Sequence, residues 1–298
     1  MAVETSLLLA EANSLRVLVT GAGGLVGRAV DEYCRNLGDE VFLYQHADLD
    51  ITNRDAVRKT ILAKRPEVVI NCAAWTNVDA CESDPEHAFA ANASGPENLA
   101  AACKEAGCRF ITISTDYVFD GSKVGFYTQD DQPNPESVYA ASKFAGERRS
   151  VQANDRSIIV RTGYIFGRGG TNFLCTVVDR AKRGEKLKAI NDTFGTPTYA
   201  KDLAERLREL AATDTSGIYH VVNSGPGASF EEFTRKAIAL VGNREATVES
   251  VSAAALNRAA KRPLNSRLRC LRTETLGLAP LRSWEAALED FVKTESET

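Results

Sequence analysis

The sequence predicts an α/β fold, a doubly wound parallel sheet of Rossmann type with a smaller C-terminal α/β lobe for substrate. Three observations predict it. Short β-branched runs alternate with helical stretches through the first half of the chain. Those runs are apolar at successive positions, as strands covered on both faces must be. The first of them leads directly into a glycine-rich turn. Strands that alternate with helices pair in parallel through right-handed crossovers, and ligands then bind in the crevice at the carboxyl ends of the strands.

Leu15–Thr20 reads as the first strand, and residues 25–37 as an amphipathic helix that stops at Gly38. Glu40–Tyr44 is the second strand; residues 53–64 are helical until Pro66 ends them. Glu67–Asn71 is the third strand, followed by a long helix over 85–106 that ends at Gly107, and Arg109–Ser114 is the fourth. Residues 136–152 are helical and Ser157–Thr162 is the next strand. Beyond about residue 165 the pattern loosens. Helices are expected at 171–183, 199–213, 229–241 and 283–294, with one short strand, Gly217–Val222, between loops rich in Gly, Pro and Asn. The division is an N-terminal extension over 1–14, a dinucleotide-binding domain over 15–165 and a substrate lobe over 166–298, some of whose elements return to the sheet.

With 298 residues, 44% hydrophobic and 26% charged, the chain can bury a sizeable core. A formal net charge of −4 and the lack of a basic run argue against nucleic acid as a partner; the one local exception, the Arg-rich stretch 258–272, is short and interrupted and suits an anionic small molecule better than DNA. No apolar run approaches a membrane span. The N-terminal LLLA is short and follows no basic residues, so it reads as an extension and not a signal peptide, and a cytoplasmic location is expected. Seven cysteines without a CxxC pair suit free buried thiols, and three histidines without ligand spacing suit no metal.

The first strand runs into Thr20-Gly-Ala-Gly-Gly-Leu-Val-Gly27. Gly21 permits the tight turn, Gly24 lets a pyrophosphate approach the backbone, and Gly27 lets the helix pack close to the sheet. Leu25 and Val26 open that helix, whose free N–H groups and partial positive charge suit phosphate. The second strand ends Tyr44-Gln-His46, with no acid to grip an adenosine ribose. Asp48 and Leu49 could flank the adenine; Asp50 could cap the next helix. NADPH is tolerated in the absence of that acid, and NADH is not excluded.

Tyr139 and Lys143 stand four apart in Tyr139-Ala-Ala-Ser-Lys143, on one helix face. The pair could be an aromatic packed on a lysine stem. It could equally be a phenol whose pKa is drawn toward neutrality by a cation, able to move a proton beside a redox cofactor.

The glycine turn, Asn71-Cys-Ala-Ala-Trp75, Ser114-Thr-Asp-Tyr-Val-Phe119, the Tyr139–Lys143 segment and Arg161-Thr-Gly-Tyr-Ile-Phe-Gly167 together resemble the extended short-chain dehydrogenase/reductase superfamily over nearly the whole chain. Thr76-Asn-Val-Asp-Ala-Cys-Glu82, Ile190-Asn-Asp-Thr-Phe-Gly-Thr-Pro197 and Arg262-Pro-Leu-Asn-Ser-Arg267 are similar, within it, to the dTDP-4-dehydrorhamnose reductase family. The resemblance implies NAD(P)H-dependent reduction of the 4-keto group of a nucleotide-linked deoxysugar, giving dTDP-rhamnose. It implies that Thr115 hydrogen-bonds the carbonyl, that Tyr139 is the general acid, and that Lys143 holds the nicotinamide ribose and lowers the phenol's pKa. Ala73, Ala74 and Thr76 would line the cofactor's path. Val78, Asp116, Tyr117, Tyr164, Arg262 and Asn265 would line or border the sugar-nucleotide site.

Departures from the superfamily's pattern narrow the reading. Dehydratases carry Asp then Glu after the Thr; here Asp116 is followed by Tyr117. A sugar-nucleotide epimerase and a non-catalytic, cofactor-binding regulatory subunit stay as alternatives, though the Thr–Tyr–Lys set is intact. Some members form dimers through magnesium held by glutamates, one just after the glycine turn. Arg28 stands near that position, so no such metal is expected, and a monomer or weak homodimer is.

Overall fold

The computed structural model describes residues 14–296, so the N-terminal extension, Ser14 apart, lies outside the described residues. In chain order the principal elements are β1 (Arg16–Thr20), α1 (Leu25–Asn36), β2 (Glu40–Tyr44), α2 (Arg54–Lys64) and β3 (Val68–Asn71). Next come α3 (Val78–Ser83), α4 (Pro85–Phe89), α5 (Gly95–Ala106), β4 (Arg109–Thr115), α6 (Val138–Ala153) and β5 (Ile158–Thr162). The second half holds α7 (Phe173–Lys182), β6 (Lys186–Ile190), α8 (Ala200–Ala212), β7 (Gly217–His220), α9 (Phe230–Val241), β8 (Thr247–Val251) and α10 (Trp284–Ser296).

Six strands form one parallel sheet in the order β7-β5-β4-β3-β1-β2. Winding reverses between β1 and β3, so helices cover both faces and a crevice opens where those two strands end. Val17, Val19, Val68, Ile70 and Val160 face one helix layer and Leu18, Val69 and Phe110 the other; all are fully buried. That two-sided burial is why the strands read as continuous apolar runs. At the crevice the strand ends are tied by buried polar side chains. Thr20 donates to Asn71 Oδ1 at 2.7 Å, and Asn71 Nδ2 donates to Thr112 at 2.9 Å.

The second lobe has its own core around Phe166, Phe233, Trp284 and Phe291, and β6 pairs in parallel with β8 there. Residues 200–220 belong elsewhere: α8 packs on α1, and β7 extends the main sheet beside β5. The single helix read over 85–106 is α4, a π turn at Ala90–Ser94, and α5. Asn92 sits in that turn. Its carbonyl would lie 2.1 Å from a Cβ on Gly146, so α6 approaches the turn backbone to backbone. Among the described residues no helix is long and apolar enough to cross a membrane.

Gly146→Ala sets two effects against each other. Alanine gains about 1 kcal/mol as a helix former, whereas forcing a methyl against a carbonyl that cannot swing away costs about 1–3 kcal/mol. The clash should win, and urea unfolding should show a lower midpoint; an unchanged or higher one would show that the helices can move apart.

Candidate active site

A cleft of about 490 Å³ lies along the carboxyl ends of the strands. One end is the start of α1. Gly24 is its N-cap, with no side-chain cap bond and no acid in the first turn. The helix therefore presents N–H groups and partial positive charge to the cleft through Gly24, Leu25, Val26 and Gly27. A Cβ on Gly27 would stand 2.4 Å from the Gly21 carbonyl. Gly21, at φ +67°, touches the Ala73 backbone, where a Cβ would come within 2.6 Å of its nitrogen. This uncapped, Cβ-free cradle fits a dinucleotide diphosphate. Arg28 does not face it: the guanidinium donates to the carbonyls of Gly23 and, at 2.7 Å, Gly169, strapping the turn to the second lobe. Among the described residues no three His, Cys, Asp or Glu gather in a way that could hold a metal.

Ala74, Thr76 and Val78 line the cleft, and Ala73 N donates to Asn71 Oδ1 beneath it. Asp48 and Leu49, read as flanking an adenine, do not line it. Asp48 accepts from the Gln45 N–H at 3.0 Å to close a turn, and Leu49 is buried in the core with Leu18 and Val69.

Thr115, Tyr139 and Lys143 meet in the middle of the cleft. Thr115 is the last residue of β4 and donates to Asp116 Oδ1 at 3.1 Å. Tyr139 lies in the first turn of α6, which Ser137 caps through the Ala140 N–H at 3.2 Å. Its ring meets Tyr117 edge-on at 6.2 Å. Burial holds the phenol well above its usual pKa while a hydrogen bond with Thr115 pulls it down, so the free protein carries the protonated phenol that a general acid needs. Lys143 is 5% exposed and donates to the Ile113 carbonyl at 2.6 Å. Burial lowers its pKa to about 8, against the opposing charge of Glu147.

Asp116 is buried beneath Thr115, where Ser266 also donates to it. Burial lifts its carboxyl to about 6, with the Ser266 and Thr115 hydrogen bonds acting the other way. A Cβ on Gly163 would fall 2.3 Å from that carboxyl carbon, which explains a glycine before Tyr164. Tyr164 holds a left-handed backbone, φ 50°, with its ring over Gly195 and 4.6 Å from Phe230. Such strain in a non-glycine residue is a feature of ligand-binding positions.

Tyr117, Tyr164 and Phe230 are shared with a second cavity of about 290 Å³ that reaches Arg258 and Arg262. Arg262 pairs with Asp79 of α3 at 3.0 and 2.7 Å. Arg258 has no hydrogen bond or ion pair of its own among the described residues, and burial with the adjacent Arg262 charge lowers its pKa. Asn265, read as bordering substrate, lines neither cavity. Its amide donates to the Lys123 and Gly125 carbonyls at 2.6 and 2.8 Å, and its oxygen accepts from Arg267, so it braces loops.

A family model described as the RmlD substrate binding domain matches residues 15–297. This chain belongs to the RmlD family. It is 40% identical over 281 residues to a dTDP-4-dehydrorhamnose reductase of Streptomyces griseus, with 92% of each chain covered. It is 34% identical over 274 residues to a dTDP-4-keto-6-deoxy-D-glucose reductase of Streptomyces niveus, covering 92% of this chain and 95% of that one. The crystal structure of dTDP-4-dehydrorhamnose reductase from Bacillus anthracis in complex with NADP superposes with a TM-score of 0.90 at 34% identity, over 96% of this chain and all of that one.

Several residues of this RmlD-family site escape sequence reasoning. Arg258 opens the Arg-rich stretch read as suited to an anion, but nothing local marks it, among those arginines, as one that lines the cavity. Ser266 and Asp79 lie inside quoted motifs, but nothing local says what they touch. Asn92 joins the Trp75 N–H and carbonyl, at 2.8 and 3.0 Å, to Ser142 at 3.0 Å, and Ser142 donates to the Tyr139 carbonyl. It thereby ties the loop after β3 to the helix of Tyr139.

Asp116 gives a pH test. Its folded pKa, about 6, lies above the ordinary 3.8, so the folded state binds the proton more tightly. The stability this lends is present at low pH and is lost as pH rises through about 6, by about 3 kcal/mol in all. Asp116→Asn fixes the neutral form, so its urea-unfolding stability relative to wild type should improve by that order between pH 4 and pH 7. Parallel curves would show that Asp116 is charged throughout.

Proposed function

We propose that the protein reduces the 4-keto group of a dTDP-linked 6-deoxyhexose with NADPH or NADH, converting dTDP-4-dehydrorhamnose to dTDP-rhamnose. The observation that carries this reading is one continuous groove: phosphate cradle, then Thr115, Tyr139 and Lys143, then the two-arginine cavity beyond Tyr117 and Tyr164. Anionic groups are favoured at both ends and a proton donor sits between them.

When bound, the dinucleotide supplies a hydride to the carbonyl carbon. The rest falls to the chain. Gly24 and the first turn of α1 hold its diphosphate, and Lys143 holds the nicotinamide ribose. Arg258 and Arg262 take the substrate's diphosphate, and Tyr117 and Tyr164 flank the sugar. With substrate in place, Thr115 turns its one hydroxyl proton from Asp116 to the carbonyl oxygen, which favours charge developing there. Tyr139 Oη gives its proton to that oxygen, and the resulting phenolate is stabilised by the Lys143 ammonium.

The reductase reading is favoured over an epimerase by relatives named as reductases that cover nearly the whole chain. The intact Thr115, Tyr139 and Lys143 set argues against a regulatory subunit. Tyr139→Phe keeps the ring and removes the phenolic hydroxyl, and with it the donated proton. With dTDP-4-dehydrorhamnose and NADPH, its kcat should fall by about 10²–10⁴, while the Kd for NADPH, read by fluorescence quenching, stays near wild type. An unchanged kcat would refute Tyr139 as the acid.

A further inference from the structure

Tyr139, Lys143 and Glu147 follow one another at intervals of four along a single face of α6. The first two have roles in the proposed reaction; the third is a buried carboxylate, 4% exposed, one turn below the lysine. We propose that Glu147, anchored by Arg161 and Ser114, is a positioning residue that keeps Lys143 charged and Thr115 in line for proton donation by Tyr139. The inference rests on the reductase reading and adds a residue to it.

Both carboxylate oxygens are committed. Arg161 Nε donates to Oε1 at 2.9 Å and its Nη2 to Oε2 at 2.7 Å, while Ser114 Oγ donates to Oε1 at 2.5 Å. Ser114 and Arg161 are cross-strand partners on β4 and β5, and Thr115 and Thr162 are the next pair. One carboxylate therefore fixes three elements together: the helix of Tyr139 and Lys143, the strand that ends in Thr115, and its neighbour. Arg161 is 2% exposed, with its guanidinium 5.2 Å from the Phe119 ring.

The charges around Lys143 come from few sources. Glu147 is the anion on its own helix; Cys72, at the end of β3, and the Ile113 carbonyl on β4 are the other polar neighbours. Arg161 lies on the far side of Glu147. Beyond it His220 of β7 stays neutral, because burial and the Arg161 charge push its pKa to about 3. The order is ammonium, carboxylate, guanidinium, and among the described residues no second carboxylate acts on the lysine proton once Glu147 is neutral. A buried ion pair is weak evidence for stability, since apolar pairs of equal volume often serve as well or better. Its place one turn below Lys143 is what gives the carboxylate a chemical role.

The test reads the alkaline limb of two quantities across pH, kcat/KM for the keto sugar and the Kd for NADPH. Wild type should be level up to about 8 and then lose about tenfold per unit as Lys143 deprotonates. In Glu147→Gln, the same shape without charge, both limbs should move down by about one unit, giving a loss of about fivefold at pH 8, about tenfold at pH 9 and little at pH 6. Glu147→Asp, the poorer fit with the charge kept, should leave the limb near its wild-type place. Should Glu147→Gln fail to fold because Arg161 is stranded, Glu147→Gln with Arg161→Met takes its place, with the limb again moving down. A folded neutral variant whose limb stays at its wild-type pH overturns the proposal, whether or not its rate also falls evenly at every pH. Wild type without turnover would instead count against the reductase reading, and the NADPH limb would still decide the role of Glu147.

Discussion

A lysine ammonium buried inside the protein is the constraint on which the rest of the site depends. Removing a charge from water is costly unless it is paired and hydrogen-bonded. Lys143 has one close acceptor, the Ile113 carbonyl, and one opposing charge, Glu147. Each comes with structural demands. The carbonyl is available only if α6 lies hard against β4. The carboxylate is available only if Arg161 and Ser114 hold it, which requires β4 and β5 in their observed register. The close seating of α6 in turn requires a glycine at 146 against the π turn, and the π turn presents Asn92 to the loop after β3. A local need for charge beside a phenol thus propagates through three strands and two helices.

The two ends of the groove meet anions in different ways. At the start of α1 the positive potential belongs to the backbone and costs no side-chain order. At the far end it comes from Arg258 and from Arg262, the latter already paired with Asp79. A paired arginine is positioned in advance but shares its charge, whereas Arg258 has its full charge to give and a side chain still to be ordered. The Asp79–Arg262 pair also joins α3 to the loop before Asn265, so the same contact that shapes the cavity links the two lobes.

Features set by local sequence were legible. The glycine turn, the apolar strands and the Tyr139–Lys143 spacing each need only a few neighbouring residues, and the main sheet and its helices follow from them. Strands β6 and β8 were not read as strands because they form a lone pair with lysines and glutamates on the open face, Lys186, Lys188 and Glu249 among them. Asp79 and Arg262 are 183 positions apart, and Asp116 and Ser266 150 apart; no spacing rule reaches so far. Glu147 was within reach, being one more step of four, but its meaning depends on Arg161 from another strand. Asn265 and Leu49 show the opposite limit: a motif or a position after a strand marks a residue, yet burial and hydrogen bonding turn it inward.

Net hydride transfer from cofactor to sugar, with Tyr139 as the proton source, is the centre of this account. The most direct measurement uses NADPH carrying deuterium at the transferring position of the nicotinamide, with dTDP-4-dehydrorhamnose as substrate and mass spectrometry of the product. The account predicts one deuterium in each dTDP-sugar alcohol formed and one oxidised cofactor for each product. A product without deuterium, or a changed sugar with the cofactor left reduced, would contradict it.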